Sequence, residues 1–203
     1  TDFGFSPDGN YLALSSASGI DLARVNTQNS DLTRIDSRTG QLAPVIDNRS
    51  QIWTLPTKSS EGIQVHDVTG KLLFGSTGWL GQGDHLGFGI SREGARIAVL
   101  LKTKNGTALY VASIKRDEQG CPTGIYSPRR VDFGLGTLKS VSWAGPNSLA
   151  AIASGSPAGD LPTNIQIGGG STEFTALTDS VAMLSQNDSS TTYVLDRNGI
   201  LFE

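Results

Sequence analysis

The sequence predicts an all-β protein, a β-propeller of about five four-stranded blades with the last blade incomplete. Three observations predict it. Apolar residues recur with period two in short runs such as Tyr11-Leu12-Ala13-Leu14, Arg96-Ile97-Ala98-Val99-Leu100 and Leu109-Tyr110-Val111-Ala112, and period two is the pattern of a strand. The runs pair around polar turns in a recurring unit: taking Leu12, Ile52, Ile97, Leu149 and Tyr193 as equivalent, the steps are 40, 45, 52 and 44 residues. A blade of four short strands takes roughly 40–45 residues. The turns carry the chemistry of tight hairpins. Ser6-Pro7-Asp8-Gly9 puts proline where its fixed φ suits a type I turn and glycine where positive φ is needed, and Ser91-Arg92-Glu93-Gly94 is the same turn without the proline.

The units follow in order. Phe3-Gly4-Phe5 leads through Ser6–Gly9 to Tyr11–Ser15. Leu42–Ile46 leads through Asp47-Asn48-Arg49-Ser50 to Ile52-Trp53-Thr54-Leu55, and Gly62–His66 and Lys71–Phe74 follow. Leu86–Ile90 leads to Arg96–Leu101, with Ala108–Ile114 and Tyr126–Val131 set apart by a long polar insertion that includes Lys115–Gly124. Val141-Ser142-Trp143 leads to Leu149–Ile152, then Asn164–Gly168 and Glu173–Ala176. The fifth unit, Val181–Leu184, Tyr193-Val194-Leu195 and Ile200–Glu203, is one strand short. Trp53, Val99 and Trp143 sit mid-strand at repeating positions and are expected to pack between blades. A two-sheet sandwich is the other all-β arrangement with frequent turns; the recurrence near 45 residues favours the propeller.

Composition agrees. The chain has 203 residues, 37% hydrophobic and 17% charged, with 25 glycines, a profile poor in helix formers. No stretch approaches the ~20 apolar residues of a membrane span. The N-terminal Thr1-Asp2-Phe3 lacks the basic and apolar regions of a signal peptide and starts in mid-pattern, as an excised domain would. A formal charge of −3 argues against nucleic acid as a partner, because such affinity rests on neutralising phosphates. Cys121 is the one cysteine, so it has no disulfide partner within the chain and no companion thiol for a metal.

The third and fourth units carry a more specific pattern. Ile90-Ser91-Arg92-Glu93-Gly94-Ala95-Arg96-Ile97-Ala98-Val99-Leu100 is followed by Leu109–Ile114, then Arg116-Asp117-Glu118-Gln119-Gly120, Pro128-Arg129-Arg130, and Leu138–Trp143 with Ser148-Leu149-Ala150. In this order the runs resemble the C-terminal β-propeller domain of the actinobacterial LpqB lipoproteins, and Leu22–Asn26 and Gln51–Thr54 fit the first two blades of the same family. The resemblance implies one propeller domain over residues 1–203, part of a longer lipoprotein with a GerMN-type region before it. It implies a lipid-modified cysteine, distinct from Cys121, that holds the protein to the outer face of the cytoplasmic membrane, the only link to the membrane. It also implies a non-catalytic partner of the MtrA–MtrB two-component system, in contact with the extracellular part of the sensor histidine kinase. The family supplies no catalytic motif to place on these positions.

The residues agree on the absence of familiar chemistry. There is no G-x-S-x-G elbow, HExxH or G-x-x-x-x-G-K-[ST] loop, and His66 and His85 stand 19 residues apart without ligand spacing. No catalytic, metal or cofactor residue is therefore expected, and both histidines are expected at the surface or rim. Asp2, Asp8, Asp179 and Asp196 lie near turns. Two carboxylates ~5–9 Å apart would serve a glycosidase, so a carbohydrate-binding or glycoside-processing propeller is the alternative function, with a structural spacer as a third. Two features suggest partner contacts. The stretch Gly75–Gly89 holds six glycines with Trp79 and His85, and a large aromatic in such a loop can anchor a partner. Between Lys102 and Arg130 six basic residues (Lys102, Lys104, Lys115, Arg116, Arg129, Arg130) face only Asp117 and Glu118, a local excess suited to steering an acidic partner or anionic headgroups. The partner-binding candidates are accordingly Trp79, His85, Lys115, Arg116, Arg129 and Arg130.

Overall fold

The computed structural model describes residues 2–25, 31–58, 60–78, 83–134, 136–156, 159–173, 180–185, 192–196 and 198–202. The described residues contain strands and turns and no helix. The first sheet is β1 (Phe3–Phe5), β2 (Tyr11–Ser16), β3 (Gly19–Arg24) and β4 (Thr33–Asp36). The second is β5 (Val45–Ile46), β6 (Ile52–Thr54), β7 (Ile63–His66) and β8 (Leu72–Ser76). The third is β9 (Asp84–Ile90), β10 (Arg96–Thr103), β11 (Gly106–Arg116) and β12 (Pro122–Val131). The fourth is β13 (Thr137–Gly145), β14 (Ser148–Ser156), β15 (Gly159–Gln166) and β16 (Ser171–Glu173). The fifth has three strands, β17 (Ser180–Ser185), β18 (Thr192–Asp196) and β19 (Leu201–Phe202). Each sheet is an antiparallel meander in chain order. The turns after first and third strands therefore gather at one end of each sheet. The second-to-third turns and the crossovers between sheets gather at the other. This is the expected propeller, with four full blades and a short fifth.

Hydrophobic side chains hold the blades together face to face. One cluster joins Ala13, Ile20, Leu22 and Ile35 of the first sheet to Ile46 and Ile52 of the second. A second joins Trp53, Leu55, Ile63 and Val65 to Phe88, Ile97, Val99 and Leu101 of the third. A third joins Ala98, Leu100, Leu109 and Val131 to Leu138, Trp143, Leu149 and Ile165 of the fourth. In β10 the odd-numbered residues thus face one neighbouring blade and the even-numbered ones the other. Alternation here sorts side chains between two partners rather than between core and water, and β10 is buried from Ile97 to Leu101. Trp53, Val99 and Trp143 lie between blades as the sequence predicts.

The turns repeat one solution. In the sequence Asp67–Lys71 the Gly70 N–H donates to the Asp67 carbonyl at 3.0 Å and the Asp67 carboxylate accepts the Lys71 N–H at 3.0 Å. Asp117–Cys121 copies it, with the carboxylate accepting the Cys121 N–H at 2.8 Å. Gly70 and Gly120 take φ of 86° and 80°, a region that glycine enters at no steric cost, and in Asp47–Gln51 Ser50 holds the same place at φ 56°. This tight turn corrects one expectation. The stretch Lys115–Gly124 is not a long polar insertion: only five residues turn, and the extra length of the third unit lies in the long arms β11 and β12. The third strand of the fourth unit likewise runs earlier than expected, over Gly159–Gln166 rather than Asn164–Gly168.

Close approach between blades sets one glycine. A Cβ on Gly4 would stand 2.2 Å from the carbonyl oxygen of Pro44, which leads into the second sheet, while Phe3 and Phe5 on the other face of β1 are exposed and meet edge to face at 5.8 Å. Gly4→Ala is expected to lower unfolding free energy by about 1–3 kcal/mol, read in a urea titration; a variant as stable as the parent would mean that this seam yields without cost.

Candidate interaction surface

The polar side chains divide into those that lock one blade to the next and those that remain free. Arg116, at the end of β11, is a lock. Its Nε donates to the Gly94 carbonyl at 2.9 Å, Nη1 to Gln51 Oε1 at 2.5 Å and to the Gly120 carbonyl at 2.8 Å, and Nη2 to Asp47 Oδ2 at 2.8 Å. The guanidinium lies 5.6 Å from the Trp53 ring centroid, and Trp53 Nε1 donates to the same Asp47 oxygen at 2.9 Å. The side chains of Arg116 and Asp47 are 11% and 1% exposed. One cation therefore ties three hairpin turns of two blades, with its charge met by a carboxylate and its remaining donors by carbonyls, the condition for an ion pair to be tolerated away from water. Arg116 is thus not available to a partner. The residues that hold it, Asp47 and Gln51, were not singled out from the sequence; the signal was that Asp47 occupies the turn-capping place that Ser6 and Ser91 fill in neighbouring units.

A second lock joins the first two blades. Arg38 pairs with Asp36 at 2.7 Å and donates to the Gly62 carbonyl at 2.6 Å and Thr54 Oγ1 at 3.0 Å, while Thr54 and Gln41 also donate to Asp36. Burial works to raise the Asp36 carboxyl, but the hydrogen bonds from Arg38 and Thr54 outweigh it and hold the group below its ordinary range. His66 is close enough to feel both Asp36 and Arg38.

The histidines are placed differently from the expectation. Neither is at the surface or rim: His66 is 5% and His85 4% exposed. His85 Nδ1 donates to the Pro56 carbonyl at 2.6 Å, and its backbone N–H donates to Thr57 at 2.7 Å. It ties β9 to the loop after β6, so it presents no contact to a partner. Burial pushes both imidazoles below their usual range, against the carbonyl hydrogen bonds of Gly70 and Pro56.

The remaining candidates do not form one patch. Trp79 lies outside the described residues. Arg129 is exposed and donates to the carbonyl of Ile167, in the turn between β15 and β16, at 3.0 Å. Arg130 stands opposite Tyr110 in the β11–β12 ladder and Lys115 opposite Gly124 near the far turn. At ~3.3 Å per residue, five residues of strand separate Lys115 from Arg130 by roughly 17 Å, beyond the ~8 Å screening length at physiological salt. The basic stretch is therefore split into two separate groups of charge. Lys115 sits at the hairpin-turn end, and Lys102, Lys104 and Arg130 sit at the crossover end. No group of three or more His, Cys, Asp or Glu suited to a metal occurs among the described residues.

Comparison with known proteins bears on what this surface serves. The family model described as the lipoprotein LpqB β-propeller domain matches residues 1–203. Among solved structures, Kuenenia stuttgartiensis hydrazine synthase superposes with a TM-score of 0.65 at 16% identity, over 95% of this chain and 54% of that one. A chain of a nidogen/laminin complex superposes with a TM-score of 0.61 at 14% identity, over 97% of this chain and 72% of that one. At such identities the likeness shows the fold alone, and the chain spans only about half of the hydrazine synthase chain. No curated protein matches.

Removing one partner of the Arg116–Asp47 pair strands the other in the seam, so Arg116→Met and Asp47→Ala are each expected to cost about 3–5 kcal/mol. The double variant should cost clearly less than the sum, the coupling read from a denaturation cycle; simple additivity would show that the pair does not act as a unit. The histidines fix a pH dependence. Their folded forms bind protons less readily than the unfolded chain, so their contribution is fully present above the ordinary value of about 6.5 and is lost as pH falls through the lowered folded values. Melting temperature should therefore fall as pH drops from neutrality towards 5, and His66→Gln with His85→Gln should flatten that slope. Asp36 adds a further loss only below the ordinary carboxylate range, by the same sign. A slope unchanged in the histidine variants would refute the assignment.

Proposed function

Since the chain belongs to the family of lipoprotein LpqB β-propeller domains, we propose that it is the interaction scaffold of a cell-envelope lipoprotein, and that it contacts the extracytoplasmic domain of a sensor histidine kinase of a two-component system. The observation that carries this reading is the division of charged groups between the seams and the outer surface of the blades. Asp36, Asp47 and Arg116, largely withdrawn from water, are spent on joining blade to blade, whereas the exposed Lys102, Lys115 and Arg130 lie on strands and Lys104 on the β10–β11 turn. A rigid frame that leaves its open charges on the outside is the arrangement of a binding module. In the full-length protein a lipid anchor holds the frame on the outer face of the cytoplasmic membrane, beside its GerMN-type region. Of the aspartates that would serve carbohydrate processing, Asp8 is held within its own turn, accepting from Ser6 and Asn10, and Asp179 lies outside the described residues.

The test is direct titration of the propeller with the extracytoplasmic domain of the cognate kinase at low and high salt. Binding is expected, weakening about tenfold or more as exposed charges are screened. Binding at neither salt would overturn the reading.

A further inference from the structure

The first and third sheets open in the same way, position for position. The Ser6 N–H donates to the Tyr11 carbonyl and the Ser91 N–H to the Arg96 carbonyl, both at 2.9 Å, and Gly9 and Gly94 close the two turns at φ of 71° and 70°. Phe3 pairs with Leu14 as Phe88 pairs with Val99, Phe5 with Leu12 as Ile90 with Ile97, and Leu12 with Ala23 as Ile97 with Ala112. The intervening glycines agree as well: a Cβ on Gly4 would meet Pro44 and one on Gly89 would meet Trp143, each on the side of the following blade.

Burial breaks the match. In the third sheet Phe88, Ile90, Ile97, Val99 and Ala112 are buried against Trp53, Leu55, Ile63 and Val65 of the preceding blade. In the first sheet the equivalent Phe3 and Phe5 are 62% and 55% exposed, and Leu12, Leu14 and Ala23 are half-buried. Paired strand residues share a face, so these side chains form one open apolar surface. Asp21, opposite Leu14, carries an ion pair with Arg34 at 2.8 Å on the outer part of the same face, which makes lipid hydrocarbon a poor cover.

The fifth sheet does not supply the cover. Its β17 packs against β13, β14 and β15 of the fourth, and no apolar cluster among the described residues joins it to the first sheet. It ends on an apolar face of its own, where Leu201 is exposed beside Leu195 on the side away from the buried Val194. Each described seam sets one sheet against the unlike face of the sheet before it, and the two are consecutive in one chain. A second copy joined through its own first sheet would set like on like.

We propose that the face of Phe3, Phe5, Leu12 and Leu14 is the seam for a further blade of the same polypeptide, formed by residues outside 1–203, which presents aromatic and branched apolar side chains as the second sheet does to the third. The proposal rests on the reading of the chain as part of a longer lipoprotein.

The test uses the full-length lipoprotein with p-benzoylphenylalanine in place of Phe5, irradiated in dilute solution without other proteins. The cross-linked peptide, identified by mass spectrometry, is expected within the same chain, outside residues 1–203 and outside the GerMN-type region. In a Cys121→Ser background, Phe5→Cys should react with a maleimide roughly tenfold or more slowly than Leu72→Cys, whose site is 51% exposed on the outer strand of the second sheet. Equal labelling rates, or no cross-link within the chain, would overturn the proposal by showing a bare face. So would a cross-link to the fifth sheet, to the GerMN-type region or to a second copy, the last read as a band of twice the mass. If Phe5 cross-links only to added kinase domain, the blade assignment falls and the scaffold reading stands. If the face is covered from within the chain and the kinase domain binds nowhere, the reverse holds.

Discussion

Each sheet here is a single layer, and a single layer of strands has two faces and cannot hide either by itself. The rest of the structure follows from that constraint. Burying one leucine, isoleucine or valine is worth roughly 1.5–3 kcal/mol, and the only apolar surface available to a blade is the face of the next one. Hence Ile97, Val99 and Leu101 point to one neighbour and Ala98 and Leu100 to the other. The strand ladders stay within each sheet, so blade joins blade chiefly through side chains. Stability is therefore shared across the seams rather than stored in any one sheet.

Shape alone leaves such seams poorly specified, because one greasy face fits another in many ways. The polar locks supply direction. Asp47 receives Trp53 and Arg116 from two different blades and Arg49 and Gln51 from its own turn. An arrangement with so many fixed partners tolerates little sliding. Burying such charges adds little net stability by itself; its effect is on register, since a shifted seam would leave a carboxylate and a guanidinium unmatched.

The blade pattern was legible in the sequence because strand period and turn chemistry are local. Ser-Pro-Asp-Gly and its relatives mark hairpins wherever they occur, and the spacing of Leu12, Ile52, Ile97 and Leu149 marks the repeat. Where locality ended, legibility ended too. Lys115–Gly124 looks like a loop because it is polar, yet outer strands face water on one side and tolerate polar residues, so half of it is strand. His85 looks like a rim residue because glycines surround it, but glycines here let backbones approach, and the imidazole is enclosed between β9 and the Pro56 carbonyl. The charge cluster was visible as a run of lysines and arginines. Its division into a lock at Arg116, a tether at Arg129 and an open group at Arg130 was not, because that depends on residues 38 to 69 positions away.

The locks also bear on ancestry. Arg116 needs the aspartate of the preceding blade, Arg96 lies 5.6 Å from the Trp143 ring of the following one, and Arg38 reaches from the first crossover into the second sheet. Such dependencies make each junction individual. A blade copied or shuffled alone within the gene would arrive with a guanidinium lacking its counterion on one flank and an indole lacking its cation on the other. Exchange of a single blade would therefore break a junction on each of its flanks, and the linear order of the blades is written into the chain as firmly as their shape.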